Sequence, residues 1–509
     1  MTMRKLFSIL AFSNLLFLTA TAQEGYYRYE DARQLWRQTD NAAGLSLDTI
    51  RNRGYALFEF AHRDGDYRRV QEGGQSNQLT FKTERYQTIA GVLVGYGRFH
   101  FNMDHTKDRA WCDVMRPYNS NPFMPGSSVR GAYDTQLFDF TAAIGTIKLR
   151  GLTAGMRLDY KVADLSRLRD PRSRSQLLDY KLTPSLTYSM GSHTLGLDGS
   201  YRRRKEKIGN VTTVQEDPNL SYYLMTGMEE ATGSVGSYKG FGREWVDHRF
   251  GANLNYQFHQ GAFNTLNTFG IERGSEDVLE DEKHEPGHYT SYEYRFSSAN
   301  RLRSNRMLHE LNIKLKYNEG FADEYKQQRI ATKDPQTGLT SYAHETLIAY
   351  KKRYQVKVFA ANLNYKAHFI ESNKERAYAG AVLQWNKARN KHLLPTSTLE
   401  YGGMLLMAEG GLSIARRLWI DAKAGRFFSQ NTSICLADPT TDYAVGVLLP
   451  DMQYYEASYW RGHLQLTFEV PLKIKGTTTN WFVRAFGDYL STNNSLNSKC
   501  VGVSIGLFN

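Results

Sequence analysis

The seven residues from Val501 to Leu507, close to the C-terminus, constrain the fold more than any other segment. Apolar side chains alternate strictly with small or polar ones there, in the order Val501, Gly502, Val503, Ser504, Ile505, Gly506, Leu507. Because side chains of a β-strand point alternately to its two faces, one face of this segment would be apolar and the other small or polar. The same alternation recurs along most of the chain, which predicts an all-β protein.

The first 22 residues have the features of an export signal. Arg4 and Lys5 are followed by an apolar stretch over residues 6–18 and by Ala20-Thr21-Ala22, a small-x-small cleavage site. An uncleaved anchor would need roughly 20 apolar residues. The mean hydropathy is −0.54 and no later apolar run is long enough for a helical span, so a helical membrane protein is excluded.

Connection lengths distinguish a barrel from a soluble sandwich, because alternation alone fits both. Very short turns are expected near residues 150–151, 190–193, 259–261, 303–305, 370–374, 415–416 and 475–477. Longer connections are expected over residues 105–132, 164–176, 208–244, 277–286, 319–350 and 429–454. Short and long connections take turns, as in a barrel with tight periplasmic turns and long outer loops.

The predicted fold class is an antiparallel transmembrane β-barrel of about 18 strands, within a range of about 16–20. We expect residues 1–22 to be a signal peptide, residues 23–50 to be a periplasmic or lumenal segment, and residues 51–509 to be the barrel. The 33 Tyr and 26 Phe supply rings suited to membrane interfaces. The predicted location is the outer membrane of a Gram-negative bacterium.

Charged residues alternate with apolar ones on several of the clearest strands. The predicted lumen-facing candidates are Arg157, Asp159, Lys161, Asp198, Arg202, Lys314, Lys316 and Glu469. A polar interior indicates either a water-filled channel or a lumen filled by loops and the N-terminal segment. The mixed signs argue against a strongly ion-selective pore, and internal salt bridges that stiffen the barrel are an equal alternative.

Two basic clusters are predicted at the outer rim. They comprise Arg167, Arg169, Arg172 and Arg174 after one strand, and Arg203, Arg204 and Lys205 at the end of another. Guanidinium groups suit phosphate and carboxylate groups, so these clusters are candidates for lipopolysaccharide or an anionic solute. The alternative is a solvated charged rim.

Other chemically active residues give weaker signals. Glu280, Asp281, His284 and His288 combine carboxylates with imidazoles, but their spacing matches no defined metal loop. We therefore expect a mobile loop, no metal and no cofactor. His100 and His105 lie near Asp104, with no accompanying nucleophile motif, so an enzyme is not expected.

Two local features have structural consequences. Cys112 and Cys435 fall in predicted loops and could pair, although three cysteines do not make a disulfide framework. Apolar residues occupy even positions from Tyr354 to Val358 and odd positions from Phe359 to Phe369. This shift predicts a β-bulge near Val358.

The layout of the chain resembles an uncharacterised family of outer-membrane barrels of the Bacteroidota. Trp36 followed by Asn41-Ala42-Ala43-Gly44-Leu45 is similar to the Asn-Pro-Ala element of the long-chain fatty-acid transporter superfamily, with Ala42 in place of the proline. This resemblance implies that the N-terminal segment enters the barrel. The C-terminal strand resembles an assembly signal, with Phe508 as the penultimate residue.

Three functions remain open. The first is a channel or transporter for a small polar or amphipathic solute, which we favour because so wide a barrel encloses space that is either open or plugged. The second is a non-conducting accessory barrel in a surface complex, and the third is an outer-membrane hydrolase. The expected partners are outer-membrane lipid, lipopolysaccharide and the barrel-assembly machinery, without nucleic acid.

Overall fold

The computed structural model describes residues 24–49, 52–214, 220–235, 240–414, 417–474 and 477–508. The predicted signal peptide lies outside these residues. Eighteen strands form one large sheet: β1 (Arg53–Gly65), β2 (Gln75–Ile89), β3 (Leu93–Arg109), β5 (Gly131–Thr146), β6 (Leu152–Arg167), β7 (Arg172–Met190), β8 (His193–Thr212), β11 (Phe241–Gln260), β12 (Phe263–Glu280), β13 (Gly287–Ser304), β14 (Met307–Lys333), β15 (Thr340–Glu371), β16 (Lys374–His392), β17 (Ser397–Ile414), β18 (Leu418–Cys435), β19 (Tyr459–Ile474), β20 (Thr477–Thr492) and β21 (Asn497–Phe508).

The large sheet closes on itself. Each of its strands pairs antiparallel with the next along the chain, and β21 pairs with β1 from Tyr55 opposite Phe508 to Gly65 opposite Ser498. The predicted closed barrel of 18 strands is therefore confirmed. Tight connections lie at one end, here called the turn end, and longer connections lie at the opposite loop end. An even strand number brings both termini of the sheet to the turn end.

The outer face of the barrel is apolar. On β21, Val501, Val503 and Ile505 are 57%, 55% and 49% exposed, while Ser504 between them is buried. Outward apolar side chains recur around the wall, so lipid rather than a second sheet covers this face. The chain is a transmembrane β-barrel. No helix in the described segments is long and apolar enough to cross a membrane.

The remaining elements lie inside the barrel or at its loop end. Helix α1 (Glu24–Arg33) and 3₁₀ turns at Trp36–Gln38 and Ala42–Ser46 precede the wall. Strands β4 (Pro125–Ser127), β9 (Ser221–Gly227) and β10 (Glu230–Val235) form a separate small sheet. A π-helix at Ala444–Leu448 leads into helix α2 (Leu449–Glu456), and 3₁₀ turns occupy Val70–Glu72 and Asp281–Lys283.

Two predicted long loops are wrong. Residues 319–350 are mostly strand, because β14 and β15 remain paired up to Lys333 opposite Thr340. Their neighbours stop earlier, at Gly287 on β13 and His392 on β16. The two strands therefore extend past the rim as a projecting hairpin, residues 325–353, by roughly 30 Å at about 3.3 Å per residue. The connection predicted over 164–176 is only residues 168–171, between β6 and β7.

The bulge predicted near Val358 is also wrong. Val358 pairs regularly with Asn318 on one side and Ala388 on the other. The register shift lies instead between Ala322 and Glu324, opposite Tyr354 and Tyr350. Tyr354 and Val356 are buried and point inward because apolar loops fill this end of the lumen. The apolar side chains of β15 thus point outward where the strand faces lipid and inward where it faces the apolar loops. No extra residue is inserted at Val358.

Candidate functional site

The lumen is closed at the turn end by residues 24–49, here called the N-terminal plug. The Trp36 side chain is 1% exposed, and its indole N–H donates to Gln257 Oε1 on β11 at 2.7 Å. Gly44 lies directly under the Trp36 ring, where a Cβ would collide with it. The Ala43 amide donates to Ser185 Oγ on β7 at 3.0 Å. The segment therefore packs as a folded unit against the inner wall.

Two glycines of the wall leave room for the backbone of this plug. A Cβ on Gly145 or Gly155 would strike the backbone of Ala42 or Ala43, so only glycine allows this close approach. The Thr153 hydroxyl donates to the Ala43 carbonyl at 2.9 Å. The run Asn41 to Leu45 thus sits in a groove formed by β5, β6 and β7.

Charged side chains attach the plug to further strands of the wall. Arg28 donates two hydrogen bonds to the Asp421 carboxylate, at 2.9 and 2.7 Å, and its guanidinium lies 4.4 Å from the Trp419 ring centroid. Arg37 pairs with Glu84 on β2 at 2.8 Å. A partly buried pair of this kind fixes position more than it adds stability, because each charge loses hydration on docking.

Asp48 organises the centre of the plug. Its carboxylate accepts backbone N–H groups from Leu35, Trp36 and Arg37 at 3.2, 3.3 and 2.8 Å. Burial raises the pKa of Asp48 to about 6, although these donors and the Arg37 charge favour the ionised form. This carboxyl therefore holds the turn that carries Trp36.

Inward-folded loops close the other end. Residues 66–74, 110–130, 220–235 and 436–458 are here called the loop plug. An apolar core joins Cys112, Phe123 and Tyr222 of these loops to wall residues such as Trp245 and Val356. Asp113 accepts hydrogen bonds from Tyr133 and Tyr222, both at 2.8 Å. The lumen is thus obstructed at both ends by segments of this chain.

Asp451 links two parts of the loop plug. This buried carboxyl on α2 accepts the Val70 amide at 2.7 Å. Burial raises the pKa of Asp451 to about 7, with Glu72 adding to the effect and Arg69 opposing it. Arg69 lies over the Tyr118 ring at 3.3 Å from the centroid. The contact between α2 and the first loop therefore depends on a group that titrates near neutral pH.

Each predicted lumen-facing residue lies on the wall face opposite the exposed apolar side chains. Most are occupied by neighbours: Arg157 with Asp159 at 2.8 Å, Lys161 with Asp139 at 3.8 Å, Arg202 with Asp179 at 2.7 Å, Lys316 with Glu293 at 2.6 Å, Asp198 with Asn255 at 2.9 Å, and Glu469 with the Glu24 amide at 3.0 Å. Lys314 is exposed. These residues are spread around the barrel, so they brace the wall and the plug and do not form one site.

Between the N-terminal plug and the wall lies a cavity of about 350 Å³, here called the lumen cavity. Residues 36–45 of the plug form one side, and inner faces of β1, β2, β3, β5 and β6 form the other. Beside Trp36 and Phe99, its lining includes the charged, histidine and tyrosine side chains Arg37, Asp40, Tyr55, Lys82, Glu84, Tyr86, Tyr96, Arg98, His100 and Arg157. Of these, the sequence analysis named only Arg157 as a lumen site and His100 as a doubtful catalytic group. The inward alternation of β2 and β3 was the signal that could have found the others.

The two basic clusters do not form a single surface. Arg167 is buried and donates to the Tyr133 hydroxyl at 2.7 Å, so it supports the loop plug. Arg204 is buried beside Glu206 and Glu276, whereas Lys205 pairs with Glu244 at 2.8 Å. Strand alternation explains this division, because neighbouring residues of β8 face opposite ways.

The outermost basic side chains are more accessible. Arg172 and Arg174 pair with Asp170 and Asp164 at 3.1 and 2.7 Å, with side chains 52% and 64% exposed. Arg169 donates to the Arg130 carbonyl at 3.1 Å, and Arg203 is half-buried next to Arg204. Binding of lipopolysaccharide at these residues stays a prediction.

The predicted metal candidates Glu280, Asp281, His284 and His288 do not come together in one site, because they contact different neighbours. His284 contacts Glu280 at 2.7 Å, and Glu280 also pairs with Arg243. The three groups close enough to share an ion are instead Asp277, Glu285 and His288, whose ligand atoms lie within 4.8 Å of one another. Both ring nitrogens of His288 already have partners, Asp277 at 2.8 Å and Ser275 at 3.1 Å. Asp281 is exposed on the adjoining 3₁₀ turn.

His100 and His105 lie on opposite faces of β3. His100 lines the lumen cavity, whereas His105 faces outward and contacts Asp134 at 2.6 Å. They therefore do not form a common hydrolytic centre. Cys112, Cys435 and Cys500, all within the described segments, are free thiols, and Cys112 is buried beside Arg109.

Comparison with known proteins identifies a family. Residues 42–509 match a family described as a family of unknown function (DUF6850). No curated protein matches the sequence.

Solved structures similar to this chain include three transporters or receptors. The copper transporter OprC has a TM-score of 0.41 at 8% identity, with 90% of this chain and 81% of that chain covered. The FrpB iron transporter of Neisseria meningitidis has a TM-score of 0.39 at 11% identity, with 92% of this chain and 83% of that chain covered. The siderophore receptor PirA of Acinetobacter baumannii has a TM-score of 0.37 at 9% identity, with 90% of this chain and 81% of that chain covered. At such low similarity these structures carry no argument about activity, and they add nothing to the fatty-acid transporter resemblance.

Proposed function

We propose a function for this chain, which belongs to the family of unknown function DUF6850: it is a gated transport barrel of the outer membrane for a small polar or amphipathic solute. The observation that supports this proposal is the lumen cavity behind the N-terminal plug. One of its sides is a separate segment that is held by hydrogen bonds, ion pairs and small apolar contacts such as that of Trp36. Movement of that segment would connect the cavity to the turn end.

The plug has the chemistry of a reversible closure. Its attachments include charged pairs such as Arg28 with Asp421 and Arg37 with Glu84, which water can replace when the segment leaves. Its apolar anchors are divided among four small, separate clusters, which contain Leu45, Tyr27, Tyr29 and Trp36 respectively. By contrast, a plug built only for rigidity would gain more from a continuous apolar core.

A disulfide that locks the plug tests the proposal. The Ala43 amide donates to Ser185 Oγ at 3.0 Å, so the two residues are neighbours and a disulfide between these positions would tie the plug to β7. We design Ala43→Cys with Ser185→Cys, after replacement of the three native cysteines by serine. The single variant Ser185→Cys is the control, because it carries the same substitution without the lock.

The measurement is conductance in planar bilayers with full-length purified protein. We expect brief conductance steps from the control, a drop of at least about tenfold in step frequency when the lock is oxidised, and recovery with a reductant. An equal frequency of conductance steps with the disulfide oxidised and reduced would show that the plug is not the gate. Silence in every state would move the assignment to a non-conducting barrel.

The projecting hairpin favours that second candidate, an accessory barrel in a surface complex. Leu339, Leu347 and Ile348 are 71%, 60% and 48% exposed beyond the rim. An isolated two-stranded hairpin is marginally stable in water, so a partner covering this face would stabilise it. Replacement of residues 327–348 by a short Gly-Ser linker removes all three side chains and separates the candidates, since a transporter keeps its gated conductance while an accessory barrel loses its co-purifying partner.

A further inference from the structure

The lumen cavity has an excess of cationic side chains. Arg37, Lys82, Arg98 and Arg157 line it, against the two carboxylates of Asp40 and Glu84. Two of these arginines are committed to the fold: Arg37 to Glu84 at 2.8 Å, and Arg157 to Asp159 at 2.8 Å. Asp40 is likewise engaged by Lys181 at 2.7 Å. The chemistry available to a ligand therefore rests on the remaining two cations.

Arg98 and Lys82 retain unused donor capacity. Arg98 reaches Asp139 at 3.1 Å and Thr141 at 3.2 Å with one terminal nitrogen, while its Nε is buried without a hydrogen-bond partner among the described residues. A guanidinium offers five donors, and this side chain is 41% exposed. Among the described residues, the carboxylate paired with Lys82 is that of Glu59, at 4.0 Å. Both cations can therefore accept an additional anionic partner.

Aromatic rings form the adjoining surface. Tyr86 and Tyr96 lie with ring centroids 4.6 Å apart, and Tyr55 completes the aromatic side of the lining. Such rings pack against flat apolar groups, and their hydroxyls keep one edge polar. A cavity of about 350 Å³ accommodates a compact molecule.

We infer that the lumen cavity binds a compact organic anion, with its carboxylate or phosphate held by Arg98 and Lys82 and its body packed against Tyr86 and Tyr96. This inference rests on the proposed function, because it names the class of solute that the gated barrel carries. Both oxyanions suit the fork of Arg98, which can donate two parallel hydrogen bonds. Arg98 is thus a specificity-determining residue.

The test is ligand binding to the full-length protein in detergent, measured by calorimetry and ligand-observed NMR. The probes are benzoate, phenyl phosphate and the neutral benzyl alcohol. We expect both anions to bind at least about tenfold more tightly than the alcohol, since hydrogen bonds to charged groups contribute on the order of 1.5–3 kcal/mol. Binding of only one anion identifies which oxyanion the cavity selects.

Variants assign the binding to this cavity. Arg98→Gln should weaken anion binding by about tenfold and leave the alcohol unchanged, whereas Arg98→Lys should retain part of the preference. Lys316→Gln is the matched control, because Lys316 is a lumen cation paired with Glu293 at 2.6 Å and does not line the cavity. Heat-modifiable migration in gels verifies that each variant is folded.

The outcomes separate this inference from the proposed function. Equal binding of anions and alcohol, or anion binding unchanged in folded Arg98→Gln, would overturn the inference. Lock-sensitive conductance together with either result would leave the transporter proposal standing. Arg98-dependent anion binding in a barrel that never conducts would instead retain the site and refute transport.

Discussion

Replacement of Trp36 by alanine should release the N-terminal plug. The indole is 1% exposed and donates to Gln257 at 2.7 Å, so the substitution removes both a buried ring and a hydrogen bond. Loss of a buried Trp or Phe costs about 3–5 kcal/mol. Because about 1.4 kcal/mol corresponds to tenfold, the ratio of undocked to docked plug should rise by a factor between about 10² and about 4 × 10³.

A cysteine at position 43 reports this change. Ala43 is 0% exposed when the plug is docked, so Ala43→Cys reacts with a membrane-impermeant maleimide only after undocking. When docking is fast relative to the reaction, the labelling rate scales with the undocked population. We therefore expect labelling at least about 100-fold faster in Trp36→Ala than in the parent with the same reporter.

The control is Trp385→Ala, which removes a Trp from the outer face of β16, where it is 45% exposed. It should leave the labelling rate at position 43 unchanged. If Trp36→Ala keeps the barrel folded and raises the rate less than about threefold, the plug is not held by this anchor. The account of a reversible closure would then be refuted.

Two further predictions concern the two plugs. Gly155→Ala places a Cβ against the plug backbone and should speed labelling at position 43 by tenfold or more, whereas Gly97→Ala, with open space around it, should not. Burial raises the pKa of Asp451 to about 7, whereas the pKa of this carboxyl in an unfolded chain is near 3.8. Between these two pH values the folded form therefore holds a proton that the unfolded form has lost. Docking of α2 should therefore be strongest below about pH 4 and weaken as pH rises through about 7, as measured by hydrogen exchange over residues 449–456. Asp451→Asn should flatten this profile, and an unchanged slope would contradict the assignment.

The barrel could be predicted from the sequence because its signal is local. On β21 the alternation of Val501, Val503 and Ile505 with small residues depends only on the period of two and on lipid outside. Tight turns such as those near residues 151 and 191 were likewise predicted, since they must lie between neighbouring strands. Where strands leave lipid this signal ends, which is why the sequence predicted a loop in place of the projecting hairpin and a bulge near Val358 that is not there.

The contents of the lumen were decided by the tertiary structure. Partners such as Trp36 with Gln257, or Arg28 with Asp421, are separated by hundreds of residues, and only closure of the barrel brings them together. Lys82 and Arg98 lie on the paired neighbouring strands β2 and β3, but only the tertiary structure places the plug opposite them and makes them the lining of one cavity. Side-chain alternation specifies which face a residue occupies, but the position around a closed wall depends on pairing along all 18 strands. The sequence by itself therefore determined a lipid-facing barrel, and the three-dimensional arrangement determined that the barrel is plugged and which cations its cavity presents.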